Sequence, residues 1–190
     1  MPTLYNPAGG EDGTISYLST SSWAEARDAT AGTDTYRTNT KLINSIQTQR
    51  ITARGGGERW MVRRAFFMFD TSGISEEPTS ADFKVFGFGV KTADFFAVKA
   101  DYDSEFTTAE FDSIVGWTNS GDQEGNVTKY SAEFDSSEDW NTAAYNTIPL
   151  NAAAISDMVS LNDFKICLIE SVHDLRDAEP NLPENFWNGC

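Results

Sequence analysis

The chain has 190 residues, 13% of them aromatic, with a formal net charge of −15 and a pI of about 4.3. This length fits a single domain over residues 1–190, and the negative charge repels a phosphate backbone, so nucleic acid is excluded as a predicted partner. No apolar stretch approaches the roughly 20 residues of a membrane helix, and Met1–Leu4 has no features of a signal peptide, so no membrane contact is predicted.

The first predicted elements in chain order are a strand and a polar stretch. Turn residues followed by alternation predict a strand at Thr14–Leu18. The region Ser19–Asn39 is rich in Thr, Ser, Ala and Gly, which is typical of loops and short strands. Scattered isoleucines then lead to the glycines Gly55–Gly57, which are predicted to form a flexible corner.

The segment Arg59–Asp70, RWMVRRAFFMFD, is predicted to be the central strand of a sheet. It contains no Gly or Pro, and both of its alternating faces are apolar from Ala65 onward, as in a strand covered on both sides. It stops at Asp70-Thr71-Ser72-Gly73, where Asp, Ser and Thr side chains accept backbone N–H groups two residues on and Gly tolerates a positive φ. Asp70, Thr71 and Ser72 are therefore predicted structural residues of a capped turn.

The second half of the chain continues with strands and short connections. Further strands are predicted at Asp82–Thr92, Phe95–Tyr102, Tyr145–Leu150 and Asp163–Ser171. Gly87 and Gly89 indicate bends or close backbone approaches within the first of these. Thr107 and Asn151 are predicted to cap short helices reaching Ile114 and Val159, and the tail Asp174–Cys190 is predicted to be a loop.

Strands outnumber helices in this pattern, and turn signals recur between them. The predicted fold class is therefore all-β, a β-sandwich with jelly-roll-like closure and one or two short helices in the connections. A mixed α+β fold is the alternative.

The residue pattern favours no catalytic or cofactor site. The only histidine, His173, adjoins Asp174, but no G-x-S-x-G elbow is present, and neighbouring strand residues point to opposite faces. The two cysteines, Cys167 and Cys190, have no zinc-ligand spacing with His173, and Cys167 lies in an apolar run typical of a core thiol. No enzyme activity and no cofactor are predicted, and a paired-carboxylate glycosidase is the least favoured hypothesis.

Two binding hypotheses follow from side-chain chemistry. Asp101, Asp103 and Glu105 alternate in an acidic loop and are candidate calcium ligands, although the loop has neither the length nor the glycine of an EF-hand, and a solvated acidic turn is the alternative. Aromatic residues in turn-rich segments are candidate glycan contacts because rings stack on sugars, with local packing anchors as the alternative; they are Trp23, Trp117, Tyr130, Trp140 and Trp187.

The basic pair Arg63-Arg64 lies in the predicted central strand of an acidic protein. A buried arginine has to be paired with a carboxylate. Arg64 is therefore predicted to be a structural residue that pairs with Asp70 or with an acidic loop.

The stretch from Arg64 to Gly89 resembles a pattern of β-sandwich virion proteins of tailed bacteriophages and related bacterial surface domains. The elements of the resemblance are Arg64, Phe66, Phe69-Asp70-Thr71-Ser72, Ile74, Ser80-Ala81 and Phe83, followed by the strand, helical turn and strand of Tyr145–Asp174. The resemblance covers residues 12–180. It implies a jelly-roll-like sandwich without catalytic residues that acts on a particle or cell surface.

One departure from that pattern concerns the end of the chain. Such proteins usually close with a further aromatic-rich strand, whereas this sequence ends at Phe186-Trp187-Asn188-Gly189-Cys190. We therefore expect an unpaired sheet edge near the C-terminus, or a neighbouring molecule filling it.

The resemblance implies a structural virion protein, either a head decoration protein or a fibre or appendage subunit, assembled in the cytoplasm of the bacterial host. Its expected partners are other virion proteins and further copies of itself, because symmetric particles use many copies. The alternative is a carbohydrate-binding module that recognises host-surface glycans.

Overall fold

The computed structural model describes residues 12–36, 44–103 and 106–190. The strands are β1 (Gly13–Ser19), β2 (Asp34–Tyr36), β3 (Ser45–Thr52), β4 (Glu58–Asp70), β5 (Ala81–Phe86), β6 (Phe88–Lys91), β7 (Phe95–Lys99), β8 (Tyr145–Leu150), β9 (Asp163–Glu170) and β10 (Glu184–Gly189). The helices are α1 (Trp23–Arg27), α2 (Ser136–Asp139) and α3 (Ala152–Ser160), with a 3₁₀ turn at Thr108–Asp112 and a π-helical turn at Ser171–Leu175. The predicted all-β, sandwich-like class is confirmed.

Strand β4 organises the main sheet, which comprises eight strands of the described chain. One side of β4 pairs with β1. The other side pairs with β3 along its first half and with β9 along its second half, because β4 has 13 residues and is longer than either neighbour. From β3 the sheet continues through β10 to β6, and from β9 it continues to β7; every pairing is antiparallel.

Both faces of β4 are covered, as the sequence predicts. Trp60, Val62, Phe66 and Met68 belong to one buried cluster, whereas Ala65 and Phe67 belong to the cluster on the opposite face. Side chains on a strand alternate in direction, so the two apolar faces of this one segment connect two cores.

A separate two-stranded sheet, β5–β8, lies over the second core. Phe83 and Val85 of β5 face inward with Ile148 and Leu150 of β8, and all four are buried. The ring of Phe83 meets that of Phe67 edge-on, with centroids 5.0 Å apart. This sheet is therefore attached to the main sheet by side-chain packing.

Gly87 explains why the predicted strand Asp82–Thr92 is two strands. A Cβ atom at Gly87 would lie 2.2 Å from the carbonyl oxygen of Asn141, so only glycine permits this approach. Gly89 has a φ of 76°, in the region that favours glycine. The expectation of a bend and a close approach is confirmed.

The predictions for the polar segments are less accurate. Helix α1 falls in the region predicted to hold loops and short strands, and β3 forms in a segment whose scattered isoleucines predict no strand. The predicted C-terminal loop contains β10, which pairs with β3 on one side and β6 on the other. The expected unpaired edge near the C-terminus is therefore wrong for this strand.

Among the described residues, no helix combines the length and the apolar character needed to cross a membrane.

Candidate functional site

The predicted turn after the central strand is confirmed. The backbone N–H and the hydroxyl of Ser72 both donate to Oδ1 of Asp70, at 2.9 and 2.6 Å. These bonds from Ser72 lower the pKa of Asp70. The hydroxyl of Thr71 donates to the carbonyl oxygen of Leu161 at 2.6 Å, which ties the turn to the start of β9. Gly73 does not take a positive φ. The side-chain bonds are joined by a backbone bond in which the N–H of Ile74 donates to the carbonyl oxygen of Thr71 at 2.9 Å.

Arg64 is fully buried and ion-paired, but its partner is Asp174 and not Asp70. Its Nε and Nη2 donate to the two carboxylate oxygens of Asp174 at 2.9 and 2.7 Å, a bidentate arrangement. Nη1 and Nη2 also donate to the carbonyl oxygens of Phe111 and Arg27, at 2.8 and 3.1 Å. The pair therefore joins the central strand to the π-helical turn, to the 3₁₀ turn and to α1.

A second buried arginine, Arg27, lies beside this pair and was not predicted. Its Nε donates to the carbonyl oxygen of Asp174 at 2.8 Å, and its Nη1 pairs with Asp28 at 2.6 Å. Trp23, Ala26 and Arg27 form the buried face of α1. A helical spacing of three and four residues from Trp23 was the available signal, but it is visible only once the segment is recognised as a helix.

Asp174 does not orient the imidazole of His173 as the acid of a catalytic triad would. The structure places both residues in the π-helical turn rather than on a strand. The carboxylate of Asp174 faces Arg64, while Nδ1 of His173 contacts the carbonyl oxygen of Ala178. Glu170 caps the turn by accepting the backbone N–H groups of Val172, His173 and Asp174. Burial raises the pKa of Glu170 despite these bonds. The arrangement fixes the turn in place.

Three of the five candidate glycan contacts are buried packing anchors, which corrects that prediction. Trp23, Tyr130 and Trp140 are each at most 5% exposed. The hydroxyl of Tyr130 donates to Asp157 at 2.6 Å, and the indole N–H of Trp23 donates to Asp177 at 3.0 Å. Large rings with a satisfied polar group are usual in cores, as at Trp23 and Tyr130. The indole N–H of Trp140 has no hydrogen-bond partner among the described residues, and its ring packs edge-on against two phenylalanine rings. All three residues therefore stabilise the fold through packing.

The other two candidates, Trp117 and Trp187, are half-buried, and their rings pack against other side chains of the chain. The Trp117 ring lies 4.6 Å from the guanidinium carbon of Arg27 and 4.2 Å from that of Arg64, so it covers the buried ion pair. The Trp187 ring meets the ring of Phe88 edge-on at 5.8 Å. Glycan contact at Trp117 and Trp187 stays a prediction.

Calcium binding by the acidic loop stays a prediction. Asp101 and Asp103 are exposed in the segment after β7, and Glu105 lies outside the described residues. Within the described ranges, no group of three or more His, Cys, Asp or Glu side chains has the proximity to hold a metal ion. Cys167 is a buried free thiol, as predicted, and burial raises its pKa.

Two exposed aromatic residues, Phe86 and Tyr145, are neighbours on the outer face of the β5–β8 sheet. The two residues lie opposite each other in the strand register and are 49% and 69% exposed. Their rings are 5.4 Å apart and meet at 88°, so together they present a face and an edge. The strand alternation contained this signal, since Phe86 shares its phase with the polar Asp82 and Lys84.

The outer face of this sheet also carries two opposite charges. Asp82 and Lys84 are exposed, and neither side chain forms a hydrogen bond or an ion pair with any residue in the described part of the chain. The outer face of the β5–β8 sheet thus combines an exposed aromatic pair with two charges that are unpaired within the described part of the chain. Such a surface can bind another macromolecule.

No family model, curated protein or solved structure matches the chain.

Proposed function

We propose that this chain is a non-enzymatic structural protein of a tailed-phage virion, a head decoration protein or a fibre or appendage subunit. Its partners are other virion proteins and further copies of itself. The observation that carries the contact role is the exposed Phe86–Tyr145 pair on the β5–β8 sheet. Exposed aromatic residues are enriched at protein interfaces. The assignment to a virion rests on the resemblance of Arg64–Gly89 to the phage pattern.

The buried charges support a structural role. Arg64 and Asp174 neutralise each other, and Arg27 uses its donors on backbone carbonyl oxygens and on Asp28. These groups connect α1, β4 and the π-helical turn. They act on the fold, which leaves the outer surfaces for contacts.

The test is quantitative mass spectrometry on purified phage particles, in which this chain is counted against the major shell protein. A fixed stoichiometric ratio supports the proposal, and the size of the ratio separates a decoration protein with many copies from a fibre subunit with few. Absence from the particles contradicts the virion assignment.

The second candidate is a carbohydrate-binding module, which the exposure of the Tyr145 ring favours. Sugar rings stack on flat aromatic faces, and a platform made of several rings has to be nearly coplanar. The perpendicular arrangement of Phe86 and Tyr145 leaves only one ring face for such stacking. Glycan-array binding that is lost in Tyr145→Ala and retained in Val172→Ala, a control at another exposed apolar position, would favour this candidate.

A further inference from the structure

The outer edge of β5 is open. Within the β5–β8 sheet, the N–H of Gly87 donates to the carbonyl oxygen of Ala144 at 3.0 Å, and Pro149, which has no N–H, lies opposite Asp82. This phase directs the backbone groups of residues 81, 83, 85 and 87 towards β8 and those of 82, 84 and 86 away from it. No residue in the described ranges forms a hydrogen bond with that second set.

The other edges near this sheet are covered or blunted. The edge of β7 is closed by residues 128–134, for example where Phe95 and Phe134 exchange backbone hydrogen bonds of 3.2 and 2.8 Å. The outer edge of β8 carries Pro149, and Asn151 N–H donates to the carbonyl oxygen of Tyr130. Proteins commonly protect edges in these ways. The six residues of β5 contain neither proline nor glycine.

The charges on β5 are complementary to those on a second copy of the same strand. Asp82 and Lys84 are two residues apart on the outer face. If two β5 strands pair antiparallel about a two-fold axis at Phe83, Asp82 of each copy lies opposite Lys84 of the other. Pairing about Lys84 would instead set two lysines against each other, and pairing about Val85 would set Lys84 against Phe86. Opposite charges stabilise cross-strand pairs and like charges destabilise them.

The backbone agrees with the same register. Pairing about Phe83 makes Asp82 and Lys84 of the two copies hydrogen-bonded partners, and these are the residues whose N–H and C=O groups point to the open edge. A two-fold contact uses the same surface on both subunits. The edge therefore fits another copy of itself in both charge and backbone direction.

We propose that this chain forms a symmetric dimer through β5, with the strands paired antiparallel about Phe83 and with Asp82 of each copy bonded to Lys84 of the other. The result is a continuous four-stranded sheet, β8–β5–β5–β8. The inference names the self-contact in the assembly role proposed above, and in that sense it rests on the proposed function. The aromatic pairs of Phe86 and Tyr145 remain near the two ends of the joined sheet for contact with other proteins.

The test is sedimentation velocity on the purified full-length protein over a concentration series. The parent protein is expected to show a concentration-dependent dimer. Asp82→Lys and Lys84→Asp each place like charges opposite one another at both symmetry-related contacts. Each is therefore expected to raise the dimerisation Kd by about tenfold or more. Both substitutions lie on the exposed face, and far-UV circular dichroism is the check that folding is unchanged.

Two recombined samples make the test specific to this register. The double variant Asp82→Lys/Lys84→Asp restores opposite charges and is expected to dimerise again. An equimolar mixture of the two single variants is expected to form a heterodimer, because lysines at 82 and 84 then face aspartates at 84 and 82. Glu138→Lys, an exposed charge reversal in α2, is the matched control and should leave the dimer intact.

Three results would overturn the proposal: a parent protein that is monomeric at every concentration, charge reversals that leave the dimer unchanged, or a mixture of single variants that stays monomeric. The assay uses isolated protein, so its outcome is separable from the particle count. A dimer that is absent from particles contradicts the virion role alone, and a stoichiometric particle component that remains monomeric in solution contradicts the β5 contact alone.

Discussion

Replacement of Asp174 by Asn tests whether the buried ion pair holds the fold together. The substitution keeps the shape of the side chain and removes its charge, which leaves the fully buried Arg64 guanidinium without a counterion. Loss of one partner of a buried pair costs about 3–5 kcal/mol, a large share of the roughly 5–15 kcal/mol by which a domain is stable. We expect the free energy of unfolding of Asp174→Asn to fall by this amount.

The geometry places this cost at the upper end of what a single ion pair contributes. Arg64 makes a bidentate pair with Asp174 and donates to two backbone carbonyl oxygens, and the rings of Phe111 and Trp117 lie 4.2 Å from its guanidinium carbon. Water therefore has no direct access to the charge. Urea unfolding at neutral pH, followed by circular dichroism, measures the effect.

A matched control and a double variant isolate the contribution of charge. Arg63 is the neighbouring strand residue on the opposite face, is half-buried, and has its guanidinium 5.4 Å from the Tyr36 ring. Arg63→Met should cost about 1 kcal/mol or less. Arg64→Met/Asp174→Leu removes both charges and should be less destabilised than the sum of its single variants by about 2 kcal/mol or more. The reasoning is refuted if Asp174→Asn unfolds within about 1 kcal/mol of the parent.

Two further predictions concern an ion pair and a glycine. The hydrogen bond from Arg176 lowers the pKa of Glu124 to about 2. The ionised Glu124 therefore stabilises the fold fully above the unfolded pKa of about 4.5, and this stabilisation is lost as the pH falls towards 2. The Tm of Glu124→Gln should lie below that of the parent at neutral pH and converge with it in acid, whereas a constant difference would contradict the assignment. Gly87→Ala forces a Cβ atom to within 2.2 Å of the Asn141 carbonyl oxygen and should cost about 1–3 kcal/mol in urea unfolding, whereas Gly73→Ala, whose Cβ meets nothing within 4 Å, should be close to neutral.

The sequence predicts best the strands whose own apolar pattern shows which faces are buried. The segment Arg59–Asp70 is apolar on both faces, and Tyr145–Leu150 alternates over its whole length, so each pattern excludes other structures. Strand β10 is different because Glu184, Asn185 and Asn188 give it no apolar period. Its conformation is set by the two strands that it joins, and its partner residues lie 97 to 144 positions away in the chain.

The candidate site likewise contains features that the sequence predicts and features that depend on distant residues. The chemistry of Arg64 predicts that it is buried with a carboxylate, but 29 acidic residues compete for that role. The choice of Asp174, 110 positions away, depends on the π-helical turn that carries it over β4. The burial of Trp23 and Trp140 depends likewise on short helices, which the polar sequence around them does not predict. Trp23 lies on the buried face of α1 and Trp140 at the end of α2, so these two predicted glycan contacts are buried.

The features that stabilise this protein and those that are free to bind lie on different sheets. The buried pair Arg64–Asp174 acts at β4, whereas Asp82 and Lys84 project from the β5–β8 sheet, which is attached through the inward face of Phe83 and Val85. Charges on the outward face can therefore be exchanged without disturbing either core. An effect of Asp82→Lys on association, with an unchanged free energy of unfolding, would consequently report on the surface itself.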